Sequence, residues 1–263
     1  MIADSHMHTR FSSDSEAGPE AMAEQACRLG MKSICITDHY DMDYPGGEFC
    51  LDTDAYFDGL ADLRAQYEGR LEIRTGVELG LQPHLKDRIR EYVGGHPFDY
   101  VIGSVHLMRG MDPYDREQYP GTDRELYREY FLCTLENLRK TEGFQALGHL
   151  DYVVRYGYAR EREYSCGDYR ELIDEILREL VGRGIALEVN SGGLKYGLGF
   201  PNPHPDILRR YRELKGELIT VGSDAHRAEH VGYGFEQVRE LLKNCGYAYY
   251  TVFSERKPIF LKL

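Results

Sequence analysis

A parallel α/β sheet, either open with helices on both faces or closed into a (β/α) barrel, is the architecture this 263-residue sequence predicts. Short apolar runs bounded by Gly, Asp or His alternate with longer helical patterns, and no repeat or low-complexity segment interrupts them. Long polar loops follow several of the runs, at 40–53, 107–121, 151–167 and 191–203. Collected on one face of a barrel, those loops would build the mouth at which barrel enzymes work. Barrels of this length fold as one unit, so residues 1–263 are expected to form a single domain.

Taken in order, the strands are expected at 2–5, 33–37, 71–80, 99–105, 144–148, 185–190, 217–222 and 247–253. The clearest helical pattern is 168–183, where Leu172, Ile173, Ile176, Leu177, Leu180 and Val181 share one face. Asp168 is its expected cap, and Gly184 stands just beyond its end. Similar patterns run over 19–30, 54–69, 122–141, 204–214 and 235–245.

Composition narrows the function. A net charge of −12 repels phosphate backbones, so general affinity for duplex nucleic acid is not expected. A small phosphate ester remains compatible with that charge, because bound metal ions can reverse the local potential. The six cysteines show no CxxC spacing and read as reduced thiols, not as a zinc ribbon or a disulfide framework. The N-terminus carries no signal-peptide pattern, and no apolar stretch is long enough to span a membrane. A cytoplasmic protein is therefore expected; its oligomeric state is not legible.

Metal-ligand residue types recur at the ends of the strands. His6 and His8 end the first, His39 the second, Glu78 the third, His106 the fourth and His149 the fifth, while Asp224 and His226 follow the seventh. Side chains two apart on a strand point to one side, so His6 and His8 can share one ion, as can Asp224 and His226. A carboxylate offers two oxygens and an imidazole one nitrogen at a time, which suits Glu78 to bridging. Imidazole with carboxylate favours Zn, Mn or Fe over Ca or Mg. Any one of these residues alone is more simply a helix cap or a solvated loop side chain. Their recurrence at six strand ends is what points to a metal-dependent hydrolase. His84, His96, His204 and His230 are expected outside the ligand set.

The segments DSHMHTRFSSDSE from Asp4, ITDH ending at His39, GVELG around Glu78, GSVHLM around His106, GHLDYV around His149 and VGSDAH ending at His226 resemble the motifs of the PHP (polymerase and histidinol phosphatase) family, in the family's order. The resemblance implies a distorted (β/α)7 TIM-like barrel with two or three divalent ions at the C-terminal ends of the strands. It assigns His6, His8, Glu78 and Asp224 to a first ion, Glu78, His106 and His149 to a second, and Asp14, His39 and His226 to a third. Some members carry His where Asp14 stands.

Within the family, GHLDY followed by Arg155-Tyr156-Gly157, and Glu188 to Lys195, are similar to the stand-alone histidinol-phosphate phosphatases, although Ser191 and Gly192 depart from that subgroup's usual Thr-Ser. The similarity implies hydrolysis of L-histidinol phosphate in histidine biosynthesis, by a metal-held hydroxide with no further catalytic side chain. The alternative within the family is a phosphoesterase for nucleotides, oligonucleotides or phosphotyrosine. Arg155, Lys195 and Arg160 are the expected phosphate-binding residues. Asp38 and Asp151 are candidates for orienting His39 and His149. An amidohydrolase-like enzyme would need a bridging Lys at a strand end, which is absent here, and a non-catalytic barrel would be expected to have lost ligands.

Overall fold

In the computed structural model, which describes residues 2–263, parallel strands and helices alternate along the chain. Helix α1 (Pro19–Arg28) precedes β1 (Ser33–Ile36) and the two-residue β2 (His39–Tyr40); α2 (Thr53–Gln66), β3 (Glu72–Gly80), α3 (Lys86–Gly95), β4 (Tyr100–Ser104) and α4 (Asp123–Lys140) follow. Next come β5 (Ala146–Leu147), α5 (Arg170–Arg183), β6 (Ala186–Asn190), the short α6 (Gly192–Lys195), α7 (Pro205–Glu213), β7 (Ile219–Gly222) and α8 (Phe235–Asn244). The strands are joined in the order β1-β3-β4-β5-β6-β7, all in parallel, with β2 continuing β1 alongside β3.

The sheet closes through residues 4–8. On one side, the Cys35 and Thr37 amides donate to the Asp4 and Met7 carbonyls at 2.8 and 2.9 Å. On the other, the Ser5 and His8 amides donate to Val221 and Ala225, and the Asp224 amide donates to the His6 carbonyl. The segment expected as a strand at 2–5 is thus an extended connection that reaches residue 8 and pairs through isolated bridges with Ile34 and Ala225. With it, the parallel strands form the closed, distorted TIM-like barrel. Strands covered on both faces need no polar alternation, and Ile34, Ile36, Val77, Val101, Ile102, Leu187, Val189 and Val221 are fully buried.

Local chemistry explains most element ends. A capping box between Thr122 and Glu125 starts α4. Gly184, at φ 65°, ends α5 in the left-handed conformation that glycine adopts at least cost. The start of α5 differs from expectation: a 3-10 turn at Cys166–Tyr169 leads into Arg170, so Asp168 caps nothing. Helix α3 escaped the sequence reading because Ile89 and Val93 are its buried apolar positions, too few to mark a face. Among the described residues no helix is long and apolar enough to cross a membrane.

The expected strand at 247–253 forms as β8 (Tyr249–Ser254), but outside the barrel, in an antiparallel hairpin with β9 (Lys257–Lys262). This hairpin covers the end of the barrel opposite the ligand-bearing strand ends. Tyr250 accepts the Ala3 amide at 3.0 Å, and Phe253 stacks on Tyr100 with centroids 5.3 Å apart. Phe253→Ala would leave a cavity against Tyr100 and should cost about 3–5 kcal/mol of unfolding free energy. Denaturant unfolding should show a lower midpoint at an unchanged slope; an unshifted midpoint would mean that the hairpin is not part of the cooperative fold.

Candidate metal centre

All nine expected ligands converge at the C-terminal mouth of the barrel. His6 and His8, alternating along the extended N-terminal segment, bring their Nε2 atoms to 3.0 Å of each other. Glu78, from β3, places Oε2 3.2 Å from His6 Nε2 and 3.5 Å from His8 Nε2. Asp224 sets Oδ1 3.3 Å from His8 Nε2. These four side chains surround one point. Asp224 follows β7 at φ 54°, a left-handed conformation that costs a non-glycine residue energy and that Asp tolerates better than most.

The other oxygen of Glu78 faces a second group. Its Oε1 lies 2.8 Å from His149 Nε2 and 3.2 Å from His106 Nε2. At the outer edge, Asp14 Oδ2 stands 3.0 Å from His226 Nε2 and 3.6 Å from His39 Nε2, while His39 Nδ1 turns to Glu78 Oε2 at 3.0 Å. The His8 ring stacks between those of His39 and His226, with centroids 4.1 and 4.2 Å away.

On His6 and His106 the ring nitrogen that faces away from these points is held by a carboxylate. Glu188, on β6, approaches His6 Nδ1 at 2.6 Å, and its other oxygen accepts the His149 amide at 2.8 Å. Asp41 approaches His106 Nδ1 at 2.7 Å. Such contacts keep the proton on Nδ1 and free the Nε2 lone pair. Gly222 makes the first contact possible. Strand β7 lies between β6 and the N-terminal segment, and a Cβ at 222 would sit 2.3 Å from His6 Cβ and 2.7 Å from Glu188 Oε1.

Electrostatics fit this geometry. Burial disfavours the charged form of Glu78, yet His6, His106 and His39 hold its carboxyl well below the usual range. Asp224 is likewise buried and likewise lowered, by His6 and His8. Burial also opposes a charge on His6, but Glu188, Glu78 and Asp224 raise it well above an ordinary imidazole. His8 goes the other way, lowered by burial and by His39 and His226. Glu78 Oε2 is buried and accepts no hydrogen bond. A buried oxygen without a donor, ringed by imidazole nitrogens at 3.0–3.5 Å, is what a cation position requires, and the donor set fits divalent ions.

A cavity of about 300 Å³ opens over the centre. Arg155 lines it, its guanidinium lying 4.7–4.9 Å from the ring centroids of Tyr152, Tyr156 and Tyr196 and donating to the Tyr156 hydroxyl at 2.5 Å. Lys195 and Arg160 do not line it. Lys195 Nζ donates to the Asp224 carbonyl at 2.8 Å, and Arg160 donates to the Tyr196 carbonyl at 2.5 Å, so both brace the wall from behind.

Asp38 and Asp151 also do something other than expected. Asp38 accepts from the Thr9 amide, the Thr9 hydroxyl and the Ser12 hydroxyl, which fixes the loop after His8 and leaves the His39 ring untouched. Asp151 accepts from Asn202, the His204 amide and Tyr164, and ties two mouth loops together.

Glu188 and Asp41 do the orienting instead. Neither was singled out from the sequence, although two signals were available: Asp41 lies two residues after His39 and so shares its side, and among the first seven expected strands the sixth alone has no metal-type residue at its end. Glu188→Gln should weaken metal affinity about 10–100-fold, read by competition with a chelator. An unchanged affinity would assign Glu188 to packing alone.

The PHP domain model matches residues 4–192. A histidinol-phosphatase of Lactococcus lactis subsp. lactis (strain IL1403) is 33% identical over 261 residues, covering 97% of this chain and 95% of that protein. A probable histidinol-phosphatase of Clostridium acetobutylicum is 34% identical, covering 100% of this chain and 97% of its own. The crystal structure of the Lactococcus lactis histidinol phosphate phosphatase, complexed with Zn, L-histidinol and phosphate, superposes with a TM-score of 0.90 at 33% identity, covering 98% of each chain. A chain from the crystal structures of metal-dependent tyrosine phosphatases of Bacillus subtilis and Streptococcus pneumoniae shares the fold, with a TM-score of 0.52 at 16% identity, covering 92% of this chain and 87% of that one.

Proposed function

This chain belongs to the PHP domain family, and from that premise we propose that it is a metal-dependent phosphomonoesterase hydrolysing L-histidinol phosphate to L-histidinol and phosphate. The observation that carries the reading is Glu78. Its buried carboxylate turns one oxygen to His6 and His8 and the other to His106 and His149, beneath a cavity that holds an arginine.

In this reading His6, His8, Glu78 and Asp224 would hold one divalent ion, Glu78, His106 and His149 a second, and Asp14, His39 and His226 a third. Zn, Mn and Fe suit such donors. Charge supports the third ion. With Asp14, Glu78 and Asp224 among the ligands and Asp41 and Glu188 behind them, two divalent ions leave the centre negative, and a third makes it attractive to a phosphate dianion. Bound ions supply Lewis acidity to the phosphoryl oxygens and bring the pKa of a bound water towards neutrality.

The chain's own groups do the rest. Glu188 and Asp41 keep the His6 and His106 rings in register, so no reorganisation is needed at the moment of reaction. Arg155 offers its fork of donors to the non-bridging oxygens, where charge is greatest. Lys195 fixes the Asp224 backbone. We read residues 2–263 as one barrel domain whose expected setting is the cytoplasm, in histidine biosynthesis.

Turnover of L-histidinol phosphate by metal-loaded protein, set against a nucleoside 3′,5′-bisphosphate and a phosphotyrosine peptide, tests the substrate. The highest kcat/KM should fall on L-histidinol phosphate. Activity confined to the other two would replace this reading with the nucleotide or phosphotyrosine alternative.

A further inference from the structure

One contact of Glu78 comes from outside the ligand set. The Ser104 hydroxyl, at the end of β4, donates to Glu78 Oε1 at 2.6 Å, and Ser104 is fully buried. Ser104 stands two residues before His106 and so shares its side of the chain. Among the described residues, the other polar side-chain atoms around this carboxylate are the ring nitrogens of His6, His8, His39, His106 and His149. A ring nitrogen that turns its lone pair to an ion has no proton to donate. His39 Nδ1 stands 3.0 Å from Oε2 without forming a hydrogen bond to it. With the centre loaded, Ser104 is therefore the donor that fixes Glu78.

Glu78 needs such a donor. The last torsion of a glutamate has only a broad preference of its own. Bridging requires one orientation, with Oε2 towards His6 and His8 and Oε1 towards His106 and His149. An oxygen has two lone pairs, so Oε1 can accept the hydroxyl and still face an ion. The neighbouring strand end makes room for that hydroxyl. Residue 148, directly before His149, is glycine, and a Cβ there would lie 2.2 Å from Ser104 Oγ and 3.0 Å from Ile102 Cγ2. Gly148 is not in the left-handed region, so space and not torsion calls for glycine.

We propose that Ser104 is a positioning residue for the bridging carboxylate: its hydroxyl, given room by Gly148, sets the plane of Glu78 and through it the affinity of the second ion. This rests on the assignment of Glu78 to two ions. The first ion would keep His6, His8 and Asp224 if Glu78 turned, while the second would keep His106 and His149 alone. Loss of the hydroxyl therefore falls mainly on the second ion.

The test titrates metal-free protein with Zn2+ against a competing chelator in the wild type, Ser104→Ala, Gly148→Ala and the double variant. The binding step missing from His106→Ala marks the second ion, and the Tm values of the metal-free forms show that each variant is folded. Ser104→Ala should weaken the second ion about 10–100-fold and leave the other steps within about threefold. Turnover of L-histidinol phosphate at limiting Zn2+ should fall with it and recover in excess Zn2+, which damaged packing would not do. Gly148→Ala should weaken the same step by displacing the hydroxyl. Added to Ser104→Ala it should cost little more, because no hydroxyl is left to displace. An unchanged second step in Ser104→Ala, or equal weakening of every step, would overturn the proposal while leaving the bridging assignment intact. Fully additive losses in the double variant would overturn the pairing of Gly148 with the hydroxyl. A wild type that binds a single ion would remove the bridging assignment and the proposal with it.

Discussion

Glu78→Gln should abolish turnover, lowering kcat/KM on L-histidinol phosphate by about ten-thousand-fold, because several kcal/mol of metal-dependent stabilisation depend on this side chain. The substitution keeps the shape and removes the charge. It also replaces one of the two oxygens with an NH2 that has no lone pair to give. Whichever way the amide settles, either the His6 and His8 side or the His106 and His149 side loses its oxygen. Folding alone cannot explain such a loss if metal-free variant and metal-free wild type unfold at similar temperatures. The discriminating readout is the rise in Tm on adding metal, which follows binding to the native state. That rise should shrink sharply in Glu78→Gln. A variant that retains full metal content and a tenth of the activity would remove Glu78 from its bridging role.

Arg155→Ala should have the next largest effect, a rise in KM on the order of 100-fold, with metal content unchanged. Its guanidinium sits among Tyr152, Tyr156 and Tyr196 and touches none of the nine metal-type ligands. Arg155→Lys should recover little of the loss. An ammonium offers no planar fork to a phosphate and stacks poorly between three phenol rings. Loss of bound metal in either variant would show instead that Arg155 supports the centre structurally.

Most of the barrel was legible because buried parallel strands leave short apolar runs, and because ligand types stood at their ends. His39, Glu78, His106 and His149 could be placed from the residues directly before them. What escaped was set by neighbours distant in sequence. Glu188 reaches His6 across β7 because residue 222 has no side chain, a relation that no local pattern contains. Asp38 and Asp151 stand beside ligands but answer to Thr9, Ser12, Asn202 and Tyr164, which other loops bring to them. Lys195 and Arg160 lie on mouth loops as expected, yet their charged ends turn to backbone carbonyls behind the wall. The hairpin strand β9 reads Lys-Pro-Ile-Phe-Leu-Lys and is largely exposed, so it lacks the alternation that marks a half-buried strand.

In the proposed function these nine side chains form one multi-metal centre that hydrolyses L-histidinol phosphate. Titrating metal-free protein with Zn2+ while recording both bound metal and phosphate release tests it most directly. Activity should be absent without metal, appear as the ions bind, and reach its plateau at two or three per chain. Full activity in metal-free protein, or a fully loaded chain inert on L-histidinol phosphate, would contradict it.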